Sequence, residues 1–372
     1  MSDGVAARPF DGIIVANGGA DHVVGGMRLV ERAAFALARA GATRLLLLGP
    51  GRDAALRMPP VDVQWNVPPA TWVGAAGDPI VVISATTVAA PATIAALAEE
   101  PTPGPHAAPR GVLWRADPCC PAALDPRTRP GLQPPADLPR WTPPKDALLV
   151  PASDATGRAA AERALFTRLG RSGDGWFTRL VDRRLSRSLT RLLLPTGIAP
   201  NVVTLASIAI GIAGGCCFAR GTPSAAVAGA LLFLLSTIVD GCDGEIARMT
   251  YRESAFGAKL DILGDNLVHL FLFGGIAIGL YARSGDAIVA ALGWALLGGV
   301  LLAMASVYAC VVRRPPSPAQ RALYEAFASR EFAYLLVVLT LAGRLDWFLW
   351  MSAIGTYVFA LGLLILGVLS RR

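Results

Sequence analysis

The sequence predicts a soluble α/β domain with a mainly parallel sheet, followed by an all-α membrane domain. Three observations lead to this prediction. Strand-like and helix-like segments alternate near the start of the chain, and long apolar segments broken by short charged loops follow residue 195 or so. The composition is that of a membrane protein, with 53% hydrophobic residues, 16% charged residues and a mean hydropathy of +0.50. We place the soluble domain at 1–170 and the membrane domain at 196–372.

The α/β prediction comes from the order of segments within the first hundred residues or so. DGIIVANGG is an apolar run followed by a glycine turn, MRLVERAAFALARAGA has the pattern of an amphipathic helix, and TRLLLLGPG is a second apolar run. PIVVISATTV and PATIAALAEE repeat the strand and helix patterns. Such alternation favours parallel strands joined by helices. The Pro-rich stretch from about 100 to 145 predicts an extended loop or a partly disordered segment.

The membrane domain contains apolar segments long enough to cross a bilayer, for which roughly 20 residues are needed. We predict six spans, of which the fifth is short. They are 199–219, 223–240, 262–282, 287–312, 331–343 and 347–370.

The charges of the loops predict the orientation of these spans. Cations are concentrated on the side that carries the loop after the second span, and the opposite side has only Arg220, Arg283 and Arg344. Because cytoplasmic loops are enriched in Lys and Arg, we expect that loop and both termini to be cytoplasmic. The first residues, MSDGVAARPFDG, lack the pattern of a secretory signal, which agrees with this orientation. We expect an integral protein of a prokaryotic plasma membrane.

Residues 171–195 predict an amphipathic helix just ahead of the first span. Leucines and aromatic residues recur at helical spacing in GWFTRLVDRRLSRSLTRLLLP, and arginines fill much of the remaining surface. We interpret this helix as lying in the cytoplasmic membrane interface, with an ordinary surface helix as the alternative. The net charge of +7 is modest and the arginines lie beside apolar segments, so we expect contacts with anionic lipids and no binding of nucleic acid.

Two pairs of aspartates flank the loop between the second and third predicted spans. Asp240 and Asp243 are three residues apart and Asp261 and Asp265 are four apart, so each pair shares one helix face. Ionisable groups at the edge of a membrane are costly and usually functional. A set made of carboxylate oxygens favours Mg²⁺ or Mn²⁺, and this many ligands would suit a pair of ions. The alternative is a set of solvated charges at helix ends.

Residues beside the aspartates point to a phosphate-bearing ligand. Gly244 and Gly257 would allow a phosphate or a ribose to approach the backbone closely. Arg248 offers a planar guanidinium to a phosphate oxygen or to a carboxylate. Together with a metal ion, these residues suggest a substrate that contains a diphosphate.

This stretch resembles the signature of the CDP-alcohol phosphotransferases, D-x2-D-G-x2-A-R-x8-G-x3-D-x3-D. The residues that match it are Asp240, Asp243, Gly244, Ala247, Arg248, Gly257, Asp261 and Asp265. The segment APNVVT also resembles the Pro-Asn-x-x-Thr element that opens the first span in that family. The resemblance covers about 175–372.

The resemblance implies metal-dependent transfer of a phospho-alcohol group from a CDP-alcohol to an acceptor hydroxyl, with release of CMP, as in phospholipid or inositol-phosphate-phosphate synthesis. By analogy, all four aspartates contact Mg²⁺ or Mn²⁺, with two ions expected, and Asp265 is the general base. A homodimer is also expected from the family. The residues that would contact the nucleotide are Asn201, Thr204, Asp240, Gly244, Ala247, Arg248 and Gly257.

A phosphorylated acceptor would need cations near the aspartates. The candidates are Lys259, Arg313, Arg314 and Arg330. The alternative explanation is topology alone, since positive residues are expected in cytoplasmic loops in any case.

The soluble domain resembles the Rossmann-like fold of the sugar nucleotidyltransferases, in the stretch GGMRLVERAAFALARAGATRLLLLG. That family uses a glycine-rich loop with an Arg and a Pro-Lys pair, and an Asp after a middle strand. Here the loop is ANGGADHVVGG and the later position is ISATT, so we expect this domain to be inactive. The fusion itself resembles the bifunctional inositol-phosphate cytidylyltransferase/di-inositol-phosphate-phosphate synthases.

Two other classes of function remain as alternatives. A membrane transporter for a cation or solute would also place acidic residues among helices, but it would leave Gly244, Arg248 and Gly257 without a role. A scaffold without activity would be expected to carry a damaged motif, whereas the motif here is complete.

Overall fold

The structure is a computed structural model in which the chain forms two compact units. The first consists of Met1–Arg168 and Met249–Tyr251, and the second of Leu169–Arg248 and Arg252–Arg372. The residues that the structure describes are 9–16, 18–49, 56–72, 78–100, 105–108, 113–116, 134–136, 138–169, 183–313, 316–327 and 331–369.

A six-stranded sheet lies at the centre of the first unit. The strands of this unit are β1 Phe10–Val15, β2 Val23–Val24, β3 Met27–Arg28, β4 Ala42–Leu48, β5 Asp62–Trp65, β6 Ile80–Ser84, β7 Thr87–Ala89, β8 His106–Ala107, β9 Leu113–Ala116 and β10 Leu149–Pro151. The order in the sheet is β5-β4-β1-β6-β9-β8. The β5, β4, β1 and β6 strands run parallel to one another, and β9 is antiparallel to both β6 and β8. The predicted α/β class with a mainly parallel sheet is confirmed.

The helices of this unit cover the sheet because its central strand is apolar on both faces. Their bounds are α1 Leu29–Arg39, α2 Pro69–Trp72, α3 Pro91–Ala98 and α4 Ala155–Thr167. Every residue of β1 is buried. Since side chains alternate along a strand, Ile14 packs in one cluster with Leu37 of α1, whereas Ile13 and Val15 pack in another with Trp114.

The Pro-rich stretch contains more regular structure than the predicted loop. Its described residues include β8 and β9, which extend the sheet beyond β6. Trp114 in β9 and Trp141 are both buried in the core of this unit. The many prolines of this stretch favoured the prediction of a loop. The run LWRA of β9 is too short to show the alternation of side chains that is typical of a strand.

A buried arginine organises the first unit where it includes Met249–Tyr251. Arg32 donates from Nη2 to the carbonyl oxygens of Val24 at 2.9 Å, Gly25 at 3.2 Å and Met249 at 2.8 Å. Burial lowers the pKa of the Arg32 guanidinium. Phe35 stacks on the ring of Tyr251 with centroids 5.7 Å apart. These contacts explain why Met249–Tyr251 group with the first unit.

Within its described residues, the regular secondary structure of the second unit is entirely helical. Its helices are α5 Arg183–Leu193, α6 Pro200–Ala219, α7 Pro223–Met249, α8 Ala255–Ser284, α9 Ala287–Val307, α10 Pro318–Phe327, α11 Glu331–Leu341 and α12 Leu345–Leu369. Within the described residues, five helices are long and apolar enough to cross a membrane. They are Pro200–Ala219, Pro223–Met249, Ala255–Ser284, Ala287–Val311 and Leu345–Leu369. The predicted fifth span, 331–343, corresponds to the short α11, so a total of six spans stays a prediction.

The motif helices differ from the predicted spans in length. The α7 helix continues nine residues past Asp240 to Met249, and α8 begins six residues before Asp261 at Ala255. Apolar length locates the part of a helix that suits a bilayer and carries no information on where the helix stops. All four aspartates therefore lie inside helices and not at their ends.

Glycines bring α6 and α8 into backbone contact. A Cβ atom at Gly275 would collide with the carbonyl oxygen of Gly215, and one at Gly279 would collide with that of Phe218. Small residues permit such close packing between membrane helices. The α6–α8 pair is thus a tightly fitted platform, which carries Asn201 and Thr204 on one helix and Asp261 and Asp265 on the other.

Candidate active site

The functional motif is divided between the C-terminal part of α7 and the N-terminal part of α8. The spacing of three and four residues puts Asp240, Asp243, Gly244 and Ala247 on one side of α7. Ser254 caps α8, because its side chain accepts a hydrogen bond from the Gly257 backbone N–H at 3.0 Å. The cap fixes where α8 begins and hence the rotation at which Asp261 and Asp265 leave the helix.

Three of the four aspartates converge. Asp240, Asp261 and Asp265 each place a carboxylate oxygen within 4.8 Å of the others. Asp240 and Asp261 are half-buried, whereas Asp265 is exposed. Three negative groups this close repel one another, and a divalent cation would relieve the repulsion. The oxygen-only donor set fits Mg²⁺ or Mn²⁺, the ions predicted from the sequence.

Asp243 lies outside this group of three and contacts α6. Its side chain is buried, and its Oδ2 accepts a hydrogen bond from the hydroxyl of Thr204. Thr204 is itself buried on α6. Thr204 was predicted to contact a nucleotide, and the structure shows that it also connects α6 to the motif helix.

The side chain of Arg248 lies beside Gly244, which precedes it by one helical turn on α7. A Cβ atom at Gly244 would stand 3.2 Å from Nη1 of Arg248. The sequence suggested that Gly244 leaves space for a ligand. The structure shows that the guanidinium of Arg248 uses part of that space, so Gly244 also determines the position of the arginine.

Gly257 provides the corresponding space at the start of α8. A Cβ atom there would stand 3.0 Å from Oδ1 of Asn201 and 3.1 Å from Oγ of Ser254. Asn201 comes from the first turn of α6. The two predicted nucleotide-binding positions are therefore neighbours, although they are 56 residues apart in the chain.

The predicted acceptor-binding cations are less well defined. Lys259 on α8 is exposed, and Arg313 is exposed at the end of the π-helical turn Tyr308–Val312 that follows α9. Arg314 and Arg330 lie outside the described residues. An acceptor site built from these residues stays a prediction.

Sequence reasoning missed Glu245, which lies within the motif of α7. This residue is fully buried and accepts hydrogen bonds from two hydroxyls of α5. The only signal in the sequence is a glutamate at an unspecified position of the motif, and the burial of that position becomes visible only when α5 is in place.

Parts of this chain resemble known proteins. Residues 197–369 match the family model described as CDP-alcohol phosphatidyltransferase. The resemblance found in the sequence is confirmed for this region, which matches a family of transferases that act on substituted phosphate groups.

Two curated relatives have the same name, bifunctional IPC transferase and DIPP synthase. The protein from Archaeoglobus fulgidus is 32% identical over 135 residues, which is 36% of this chain and 26% of that protein. The protein from Rubrobacter xylanophilus is 40% identical over 129 residues, which is 35% of this chain and 28% of that protein. The match thus spans about a quarter of the length of these relatives.

One solved structure also matches part of the chain. The crystal structure of Mycobacterium tuberculosis phosphatidylinositol phosphate synthase with CDP-DAG bound shares 22% identity, with a TM-score of 0.34, and covers 50% of this chain and 90% of that one.

Proposed function

We propose that this protein is an integral membrane CDP-alcohol phosphotransferase. It would transfer a phospho-alcohol group from a CDP-alcohol to an acceptor hydroxyl and release CMP. The observation that carries the proposal is the convergence of Asp240 with Asp261 and Asp265 to within 4.8 Å, from two helices that share the complete family signature. The transporter and scaffold alternatives are not favoured, because neither requires this signature.

The proposed chemistry is an in-line displacement at the phosphorus that bears the alcohol. The acceptor oxygen forms a bond to that phosphorus, the bond from phosphorus to the CMP oxygen breaks, and CMP leaves with the electron pair. The proton of the acceptor hydroxyl passes to a carboxylate oxygen of Asp265. Asp265 suits this role because it is the exposed member of the group, and a base must be within hydrogen-bond reach of the hydroxyl.

The same carboxylates would hold the metal. Asp240, Asp243, Asp261 and Asp265 are the proposed ligands of Mg²⁺ or Mn²⁺, with two ions in the site. When bound, the ions would offset the negative charge of the diphosphate.

We assign the donor nucleotide to the side of the site formed by α6, α7 and the first turn of α8. The proximity of Asn201 to Gly257 and of Arg248 to Gly244 supports this assignment. The full proposed set is Asn201, Thr204, Asp240, Gly244, Ala247, Arg248 and Gly257. A planar guanidinium suits a phosphate oxygen, so Arg248 would contact the diphosphate.

The names of the relatives suggest inositol-phosphate chemistry. A polar donor such as CDP-inositol or a lipid donor such as CDP-diacylglycerol would meet the requirements of the motif. For a phosphorylated acceptor we propose contacts with Lys259, Arg313, Arg314 and Arg330.

We further propose that the domain at 1–170 does not transfer nucleotides. The carboxyl end of β6, where a nucleotidyltransferase would need a metal-binding Asp, presents Ser84 and Thr86 with their hydroxyls 2.9 Å apart. We propose residues 171–195 as a juxtamembrane interfacial helix and 196–372 as a domain of six spans. The protein would be a homodimer in a prokaryotic plasma membrane, with its termini and active site in the cytoplasm.

The experiment that tests the proposed function is CMP release by the purified protein with Mg²⁺ or Mn²⁺. CDP-diacylglycerol and CDP-inositol would each be combined with inositol phosphate, glycerol phosphate and inositol. We expect release with one pair of substrates and none when EDTA removes the metal.

A matched control uses an aspartate outside the site. Asp346 is exposed in the first turn of α12, and Asp346→Asn should leave CMP release unchanged. Wild-type protein that binds Mn²⁺ but releases no CMP from any donor would contradict the proposal.

A further inference from the structure

Glu245 is a fully buried carboxylate on the motif helix that the proposed chemistry does not use. Its exposed fraction is 0%, and its position lies between Gly244 and Ala247 of the signature. A carboxylate is rarely buried so completely unless specific partners satisfy it, because removing the charge from water is costly. The contacts of Glu245 should therefore indicate its purpose.

The described partners come from one face of α5. The Ser186 hydroxyl donates to Oε1 of Glu245 at 3.0 Å, and the Thr190 hydroxyl donates to Oε2 at 2.7 Å. Ser186 and Thr190 are one helical turn apart, and both are buried. Each carboxylate oxygen thus has a hydroxyl donor, and the two donors fix both the rotation and the height of α7 against α5.

A second contact joins the same two helices. The Cys242 Sγ atom donates to the backbone oxygen of Ser186 at 3.4 Å. Cys242 lies three residues before Glu245, so the two contacts are on the same face of α7. The attachment therefore extends over about one turn of the motif helix.

The attached face is not the face that carries the aspartates. At ~100° per residue, Glu245 points about 140° away from Asp240 around α7. One face of α7 thus carries the aspartates of the candidate site, and the roughly opposite face contacts α5.

The rest of α5 is suited to a membrane surface. Arg184 and Arg191 are exposed, and Leu185 and Leu192 are exposed hydrophobic side chains beside them. Arginines next to apolar side chains favour an interface with anionic headgroups. Because α5 is suited to lie at a membrane surface, it is a suitable support for the motif helix α7.

We propose that Glu245 is a positioning residue that fixes the rotation of α7 on α5, and thereby sets Asp240 against Asp261 and Asp265. The proposal rests on the proposed function for its catalytic consequence. An apolar contact would also hold the helices together, but it would permit sliding and rotation. A carboxylate with two donors one turn apart specifies one register, which is the best-attested role of buried polar groups.

The test compares Mn²⁺ binding and CMP release in the full-length protein in lipid nanodiscs. Mn²⁺ binding is followed by the electron paramagnetic resonance signal of the free ion and needs no substrate. Glu245→Leu keeps the approximate bulk and removes both hydrogen bonds. We expect Mn²⁺ affinity to fall at least about threefold and kcat about tenfold or more, because small displacements of catalytic groups are costly.

Glu245→Gln serves as the conservative rescue. The amide offers one acceptor and one donor group, and a hydroxyl of Ser186 or Thr190 is able to rotate and accept. We expect Mn²⁺ affinity and kcat within about twofold to threefold of wild type, since most of the hydrogen-bonding geometry is retained.

The partner side is tested with the double variant Ser186→Ala/Thr190→Val. Its matched control is Ser306→Ala/Thr340→Val, which removes two buried hydroxyls that donate to carbonyl oxygens within their own helices, Ala303 and Leu336. We expect the first pair to lower Mn²⁺ affinity and kcat as Glu245→Leu does. The control pair should change neither.

The outcomes separate positioning from stability. Equal losses of thermal stability in both double variants, with wild-type Mn²⁺ affinity and wild-type turnover per folded molecule, would overturn the proposal. If Glu245→Leu fails to fold, the single variant Ser186→Ala replaces it. Unchanged Mn²⁺ affinity in that variant would also overturn the proposal.

The proposed function is judged separately. Wild-type protein that binds Mn²⁺ but releases no CMP would contradict the transferase proposal, while the Mn²⁺ comparison would still decide the role of Glu245. Wild-type protein that binds no Mn²⁺ would contradict the metal site and the positioning role together.

Discussion

The two units contain carboxylates in opposite electrostatic surroundings. In the first unit, Asp11 of β1 is nearly buried and pairs with Arg44, whose Nε donates to Oδ1 at 3.1 Å. This hydrogen bond raises the pKa of Arg44. In the second unit, Asp240, Asp261 and Asp265 lie within 4.8 Å of one another, so like charges are brought together.

The difference separates a structural use of charge from a functional one. A carboxylate whose charge is paired with an arginine adds little to the free-energy cost of folding, and its role is structural. A group of carboxylates destabilises the protein that carries it, and such a group is expected where a cation or a proton must be received. The predictions below test this contrast, in order of decreasing effect.

The largest expected effect is that of Asp265→Asn. The amide keeps the shape of the side chain but cannot take up a proton, so turnover should fall by about 10²–10⁴-fold. Binding of the CDP-alcohol should be largely retained, and titration of both quantities on the same preparation checks this. Near wild-type turnover would remove Asp265 as the base, and Asp346→Asn provides the matched control.

The next effect is that of Asp240→Ala on metal binding. Removal of one of the converging carboxylates should weaken Mn²⁺ binding by about tenfold or more, since changes even to outer-shell partners cost about 10–100-fold. Paramagnetic resonance of free Mn²⁺ measures this without substrate. Unchanged affinity would exclude Asp240 as a ligand, provided that Asp346→Ala also leaves the affinity unchanged.

Arg44→Met tests the paired charge of the first unit. It leaves Asp11 without its cation, and the loss should be about 2–3 kcal/mol, below the ~3–5 kcal/mol for a fully buried pair, because Arg44 is partly exposed. Hydrogen exchange of the β1 amides in the full-length protein reports this local stability.

The control for Arg44→Met is an exposed ion pair. Arg28 lies 3.9 Å from Asp21, whose side chain is largely exposed, so Asp21→Asn should cost at most ~1 kcal/mol. Equal protection of β1 in both variants would mean that Asp11 does not depend on Arg44.

The smallest effect is expected for Gly244→Ala. The new Cβ would stand 3.2 Å from Nη1 of Arg248, and the flexible guanidinium would shift slightly. We expect kcat/KM to fall by about twofold to tenfold, or up to ~1.4 kcal/mol. Gly355→Ala is the matched control, because a Cβ there has no atom within 4 Å. A wild-type value for Gly244→Ala would show that the position of Arg248 is unimportant.

Much of the architecture could be predicted from the sequence because it depends on local periodicity. Alternating strands and helices gave the α/β unit, and apolar length located the long helices. The signature gave Asp240, Asp261 and Asp265, since the helical spacing within each pair already places them on one face. Their convergence between α7 and α8 is then a matter of packing two neighbouring helices.

The remaining features depend on contacts between distant segments. The hydrogen bond from Thr204 to Asp243 joins residues 39 apart, and that from Ser186 to Glu245 joins residues 59 apart. No local pattern marks such pairs. The β8 and β9 strands were missed for a related reason, since the short run of β9 becomes a strand only beside β6, and that of β8 only beside β9.

The contact between α6 and α8 has a consequence for how substrates arrive. At Gly275 and Gly279 the two backbones leave no room even for a methyl group, so the helices move as one body. In the proposed reaction, a donor or acceptor would therefore meet this pair as a fixed wall and would enter on the side where Asp265 is exposed.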